Sequence, residues 1–469
     1  MGTPPDQLDT FVSVIRTYQG GVVSERLTLW VASVAQLVVV LDVSVMNVAL
    51  PAIRRDLGLG PIGTSWVAMG YSIAFAGALL AAARLADSLG ATRVLLVSVL
   101  GFTISSVIGG LATSGWLLVA ARVGQGLSAA AISPATFTLL TVTFAEGLER
   151  SRAIAIWTAV GVAGGGIGNI LSGVLTELVS WRAVLLINLP IGLVVTAGAY
   201  RLGGGQRASP PAADTRPDWR TVLASLVAMG CIVQALTRFS TDGLTPRPII
   251  IFLIGGASAV GWRWLERRSR LSLVPASLWR RPNIALGTIA TLLTAICFQV
   301  GIWYFLTFRL QDDWGYSPIE TGLAFVPLTG SVLVVNLFFV PRLMDRFSPR
   351  VLISTGALLA GLGALWLALT PASGFWFGLF VPSLLLGVGG GLLNTPLATV
   401  ISSDAPAGDA GAVSGLLNSA KQFGGALGLA LGTVVADLVN DADAAFLLMT
   451  GALLLVTVTA QRLNVRMPG

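Results

Sequence analysis

Polar residues divide this chain into fourteen long apolar runs, and that alternation leaves it few ways to fold. The runs lie roughly at 27–50, 64–83, 94–113, 116–141, 153–176, 183–200, 219–238, 247–264, 284–308, 319–340, 351–370, 375–400, 411–435 and 443–461. Most reach the ~20 residues a helix needs to span bilayer hydrocarbon; the seventh and eighth are the shortest. Only 11% of the 469 residues are charged, against about 25% in a soluble domain. So few charges cannot cover a water-facing surface of that size, and lipid must be the solvent for much of the chain. The fold class that follows is an all-α integral membrane protein of fourteen transmembrane helices.

The basic residues set the orientation. With the N-terminus inside, the inner loops and tails hold 21 arginines and the outer side holds 6. By the positive-inside rule both termini are then cytoplasmic. The first residues lack the apolar stretch and small-residue cleavage site of a signal peptide, and read as a cytoplasmic tail with an amphipathic piece around Phe11 to Tyr18. The net charge of +7 is spread over these short loops, not clustered on a water-facing surface, so nucleic acid is not an expected partner.

Gly203, Gly204, Gly205, Ser209, Pro210 and Pro211 mark a flexible linker. The loop after the second run, Ala83 to Arg93, reads ARLADSLGATR, and the loop after the tenth, Pro341 to Arg350, reads PRLMDRFSPR. Similar basic turns at corresponding places suggest two related halves, an arrangement typical of secondary transporters with the binding site between them. The expected organisation is a tail at 1–26, a six-helix bundle at 27–201, a linker at 202–218 and two inserted helices at 219–265. A cytoplasmic loop at 266–283, a second six-helix bundle at 284–462 and a tail at 463–469 complete it.

Asp42 stands alone in LVVVLDVSVMNVALP. An ionisable group at membrane depth is costly unless paired or wetted, and so is a functional candidate by default. Arg122, in LLVAARVGQGLSAA, reaches a comparable depth and is the natural partner. Asn47 and Gln125 lie close enough in sequence to hydrogen-bond nearby. Trp66, Tyr71, Phe75, Trp157, Phe298, Trp303, Tyr304 and Phe305 are candidates to line an apolar cavity for bulky organic cations, with interface anchoring or core packing as the plainer role of each. Asn418 joins the candidate pathway residues. Lys421, the only lysine, either snorkels to a cytoplasmic cavity or faces the pathway. Ser317-Pro318-Ile319-Glu320 is a capping box that starts a helix, which accounts for Glu320.

Enzyme chemistry finds no footing. The chain has no histidine, and Cys231 and Cys297 both fall inside apolar runs without metal-ligand neighbours. No metal site and no bound cofactor are expected. The glycine-rich fifth run IWTAVGVAGGGIGNILSGVL lacks the Lys-Ser/Thr ending of a phosphate loop and reads as a surface for close helix packing.

These stretches together resemble the major facilitator superfamily, in particular its fourteen-helix drug:proton antiporter group of multidrug efflux proteins. LDVSVMNVALPAI (Leu41 to Ile53) is similar to the group's helix-one motif, ARLADSLGATR to the superfamily's loop motif, and RVGQG (Arg122 to Gly126) to its helix-four motif. WRAVLLINLP (Trp181 to Pro190) and SGLLNSAKQFGGALG (Ser414 to Gly428) also look like this group. The resemblance implies the major facilitator fold, two six-helix halves plus two inserted helices. It implies proton coupling at Asp42 and Arg122, and gating through Asp87, Arg93, Gly164, Gly168, Asn169 and Gly173. It further implies export of drugs or small amphipathic or cationic metabolites from a bacterial cell across its cytoplasmic membrane. A proton gradient would be the energy source and a monomer would suffice. The helix-five motif usually carries a proline where this chain has Asn169. A facilitator-fold importer or uniporter is therefore the alternative. Sparse membrane carboxylates beyond Asp42 lean the expected substrates toward monocationic or neutral molecules.

Overall fold

In hydrocarbon a backbone amide or carbonyl without a partner costs several kcal/mol, so an apolar run crosses a bilayer by bonding to itself as a helix. The computed structural model describes residues 5–203, 219–243, 245–268, 276–370, 374–406 and 409–463, and side chains from residue 25 onward except those of 87, 203, 240, 241, 276 and 410. Among the described residues there are helices and no strands. Fourteen helical spans are long and apolar enough to cross a membrane. They are α1 Glu25–Asp56, α2 Pro61–Ala86, α3 Ala91–Gly110, α4 Gly115–Thr143, α5 Leu148–Leu178, α6 Trp181–Leu202 and α7 Trp219–Phe239. The others are α8 Pro246–Arg268, α9 Pro282–Asp313, α10 Pro318–Met344, α11 Pro349–Leu369, α12 Trp376–Ser403, α13 Gly411–Val439 and α14 Ala444–Gln461.

The first helix extends beyond its apolar run at both ends. The tail expected over 1–26 is helical from Pro5, the first described residue, in one continuous helix with α1, and Gly20 and Gly21 alone do not stop it. At its other end α1 runs past Pro51 to Asp56, although its apolar run ends at residue 50. The extra turn carries Arg54, Arg55 and Asp56, and each finds an ion-pair partner. Most of the linker (204–218), part of the loop at 266–283 (269–275) and nearly all of the last tail (464–469) lie outside the described residues.

Helix packing repeats itself. In the first six helices α1 lies on α5, α4 and α6, α2 on α4, and α3 on α4 and α6. In the last six the same pattern recurs: α9 lies on α13, α12 and α14, α10 on α12, and α11 on α12 and α14. The two groups meet along α2 with α13 and along α5 with α10, contacts that this repeat interconverts. α7 and α8 pair with each other, and α7 rests on both α2 and α13.

The groups are joined at the ends that the arginine distribution assigns to the outside. Arg54 of α1 pairs with Asp312 of α9 at 2.6 Å, and Gln311 donates to the Val48 carbonyl at 2.9 Å. Glu177 of α5 accepts from the Ile319 amide at the start of α10, also at 2.9 Å. Here Gly173 is necessary, because a Cβ on it would strike the Pro318 backbone. Ser317 and Glu320 form the expected reciprocal cap on α10.

Candidate functional site

Five helices of the first group converge on Asp42. Arg122 of α4 donates to Asp42 Oδ2 at 2.5 Å, Gln125 of α4 to Oδ1 at 2.8 Å, and Asn188 of α6 to the same Oδ1 at 2.8 Å. Ser106 of α3 accepts from Gln125 (2.8 Å) and Asn188 (3.2 Å) while donating to its own helix at Phe102. Arg122 also donates to Gln125 Oε1 at 2.8 Å, and its guanidinium lies 4.9 Å from the centre of the Tyr71 ring of α2. Asp42 is fully buried and Arg122 only 1% exposed. Every neighbour of the carboxylate is a donor, so the site satisfies a negative charge on Asp42 and a positive charge on Arg122. Such a pair is weak evidence of stabilisation, because desolvating two charges roughly offsets their attraction.

Local backbone chemistry explains how Asn188 arrives there. Pro190 has no N–H for the Leu186 carbonyl, and α6 breaks between Leu186 and Asn188. Asn188 and Ser106 were not singled out by the sequence, where each reads as ordinary polar content of an apolar run. Asn188 Oδ1 is buried without a hydrogen-bond partner.

Other candidates fall elsewhere. Tyr71 and Gln125 belong to the Asp42 cluster. Trp66 donates to Gln234 of α7, and Trp157 donates to Thr136 at 3.3 Å. Trp303 donates to the Phe298 carbonyl at 2.8 Å, which is where α9 breaks between Phe298 and Gly301. These three indoles act within the packing. Asn47 is buried, and Asn418 donates to the Ser414 carbonyl one turn earlier on its own helix, at 3.0 Å. α5 is a single uninterrupted helix. A Cβ on its Gly164 or Gly168 would meet Leu37 or Ser44 of α1, and the Asn169 carbonyl lies against Gly322 of α10. Arg93 is exposed, and the Asp87 side chain lies outside the described residues.

A second feature lies in the other group of helices. A cavity of about 270 Å³ opens between α9, α12 and α13. Thr291, Thr294, Phe298 and Gln299 of α9, Asn394 of α12 and Lys421 of α13 line it. Of the residues considered for the pathway, Phe298 and Lys421 are in this wall. Gln299 sits at the break in α9 and donates to Gln422 at 3.2 Å. Among the described residues no group of three or more Cys, Asp or Glu could hold a metal.

The family model of the Major Facilitator Superfamily matches residues 32–429 and 310–463. The chain is 43% identical over 406 residues to the cephamycin export protein CmcT of Amycolatopsis lactamdurans, covering 86% of this chain and 83% of that protein. It is 34% identical over 417 residues to the puromycin resistance protein pur8 of Streptomyces alboniger, covering 88% and 81%. The crystal structure of the human organic anion transporter MFSD10 (TETRAN) superposes with a TM-score of 0.64 over 93% of this chain and 99% of that one, at 17% identity. That likeness concerns the fold.

Proposed function

The chain belongs to the Major Facilitator Superfamily, and from that premise we propose that it exports drugs or small amphipathic metabolites by proton antiport. Its place is the bacterial cytoplasmic membrane, with both termini inside and a six-helix bundle on each side of two inserted helices. Export is supported by relatives whose names record the export of cephamycin and resistance to puromycin. The observation that carries the coupling is the buried Asp42–Arg122 pair at 2.5 Å.

The chemistry runs through charge. A proton reaching Asp42 neutralises the acceptor of three N–H groups and leaves the guanidinium of Arg122 without its counter-ion. Arg122 keeps Gln125 Oε1 and the Tyr71 ring, but the ion pair that ties α1 to α4 is reduced to hydrogen bonds on a neutral acceptor. Protonation thereby stabilises a different arrangement of α1 against α4, α3 and α6, and a ligand or proton with different affinity for two arrangements shifts their populations. Because α1 also carries Arg54 and Val48 to the outer closure, a shift of α1 acts on that closure directly. Gly164, Gly168, Asn169 and Gly173 let α5 slide closely between α1 and α10, and Asp87 and Arg93 serve the closure at the inner face.

The test is substrate-driven proton movement in proteoliposomes, comparing the native protein with Asp42→Asn over lipophilic cations, neutral antibiotics and organic acids. Proton flux in the native protein that the substitution abolishes is the expected result. Substrate movement with no proton flux would support the importer or uniporter reading, which the missing proline at Asn169 and the unbroken α5 favour.

A further inference from the structure

We propose that the cavity between α9, α12 and α13 is an anion-recognising subsite, and that the exported molecule is an amphipathic organic carboxylate. The proposal deepens the export reading and rests on it. Lys421, the only lysine of the chain, lies ten residues into α13, about 15 Å along it from the inner end. No acidic side chain lines the cavity, and no carboxylate pairs with Lys421 among the described residues. A cation held at that depth without a counter-charge is expensive, and such residues mark substrate or ion pathways. A substrate carboxylate supplies the missing charge.

A second observation concerns the same wall. The Thr291 hydroxyl, on a residue only 2% exposed, has no hydrogen-bond partner. Of the four buried threonines of α9, Thr294 donates to the Ala290 carbonyl at 2.8 Å and Thr288 to that of Ile284 at 2.7 Å, whereas Thr291 and Thr307 have no partner. A buried hydroxyl left unpaired costs free energy, and such exceptions in a native structure call for an explanation. Thr291 therefore adds an unpaired hydroxyl to the wall that carries Lys421. Asn394 adds an amide, and Phe298 supplies an apolar face for the body of the molecule. The volume of about 270 Å³ lies just below the usual range of ligand pockets and suits the acid end of a larger molecule. The charge of the wall opposes the monocationic substrates that the sequence leans toward.

The experiment measures equilibrium binding to purified full-length protein in a neutral detergent free of anionic lipid. Benzylpenicillin, cephalothin and naproxen are each presented as the free carboxylate and as the methyl ester. The expected result is that at least one carboxylate binds about tenfold or more tightly than its own ester. Lys421→Gln should abolish that preference while leaving ester binding in place, Lys421→Arg should keep it, and Thr291→Val should weaken it. The proposal is overturned if no carboxylate is preferred, or if Lys421→Gln retains the preference. Failure of the export reading looks different: proton flux would be absent with every compound, whereas the binding preference is read without transport.

Discussion

Replacing Asp42 by asparagine keeps the shape of the side chain and removes its charge, which isolates what the ion pair does. The amide oxygen can still accept from Arg122, but the guanidinium, on a residue 1% exposed, is left as a buried charge without a counter-ion. Removing one partner of a buried pair costs about 3–5 kcal/mol, and an arginine at mid-membrane costs about 2.5–3.5 kcal/mol on insertion scales. The two agree near ~3 kcal/mol, roughly a hundredfold in an equilibrium constant. Adding Arg122→Gln removes the stranded charge and leaves a neutral hydrogen-bonded cluster with Gln125, Asn188 and Ser106. The double variant should therefore recover most of the lost stability while remaining inactive in proton exchange. Thermal unfolding of the detergent-solubilised proteins should rank native first, the double variant close behind and the single variant clearly last. A double variant no more stable than Asp42→Asn would refute the argument that the cost lies in an uncompensated guanidinium. Proton exchange persisting in the double variant would refute the role of the pair in coupling.

Further predictions concern the surrounding machinery. Asn188→Ala removes one of three donors to the carboxylate; at about 1.5–3 kcal/mol for a charge-assisted bond, proton-coupled flux in proteoliposomes should fall by an order of magnitude or more. Gln311→Ala removes a buried bond between the two helix groups, and a cost of about 1–2 kcal/mol should raise thiol labelling of a cysteine placed at the outer ends of α1 or α9 several-fold. Gly173→Leu drives a side chain into the Pro318 backbone and should block the same closure, visible as an increased spin-label distance between α5 and α10. If a monoanion leaves for each entering proton, two charges move with an inside-negative potential. A potassium–valinomycin gradient of that sign should then accelerate export, and no acceleration would contradict the anion reading at that stoichiometry.

The sequence by itself determined the number of crossings, the solvent and the most conspicuous charge. Run length and hydropathy are local properties, and in lipid they dictate helix because no other backbone partner is at hand. Asp42 and Arg122 were legible for the same reason, since an isolated charge in an apolar run stands out on one helix alone. Their pairing was suggested by equal depth, but whether they touch depends on the rotation of α1 and α4 about their axes, which no single helix specifies. Tertiary packing decided that, and it decided which ordinary polar residues matter. Asn188 reaches Asp42 across 146 positions of chain because Pro190 breaks α6. Thr291 and Thr294 look alike in sequence, one turn apart on one helix, yet one hydroxyl is satisfied and the other is not. Lys421 read equally well as a snorkelling cation, and what supports its reading as a binding charge is the lack, among the described residues, of an acid in the wall that α9 and α12 bring to it.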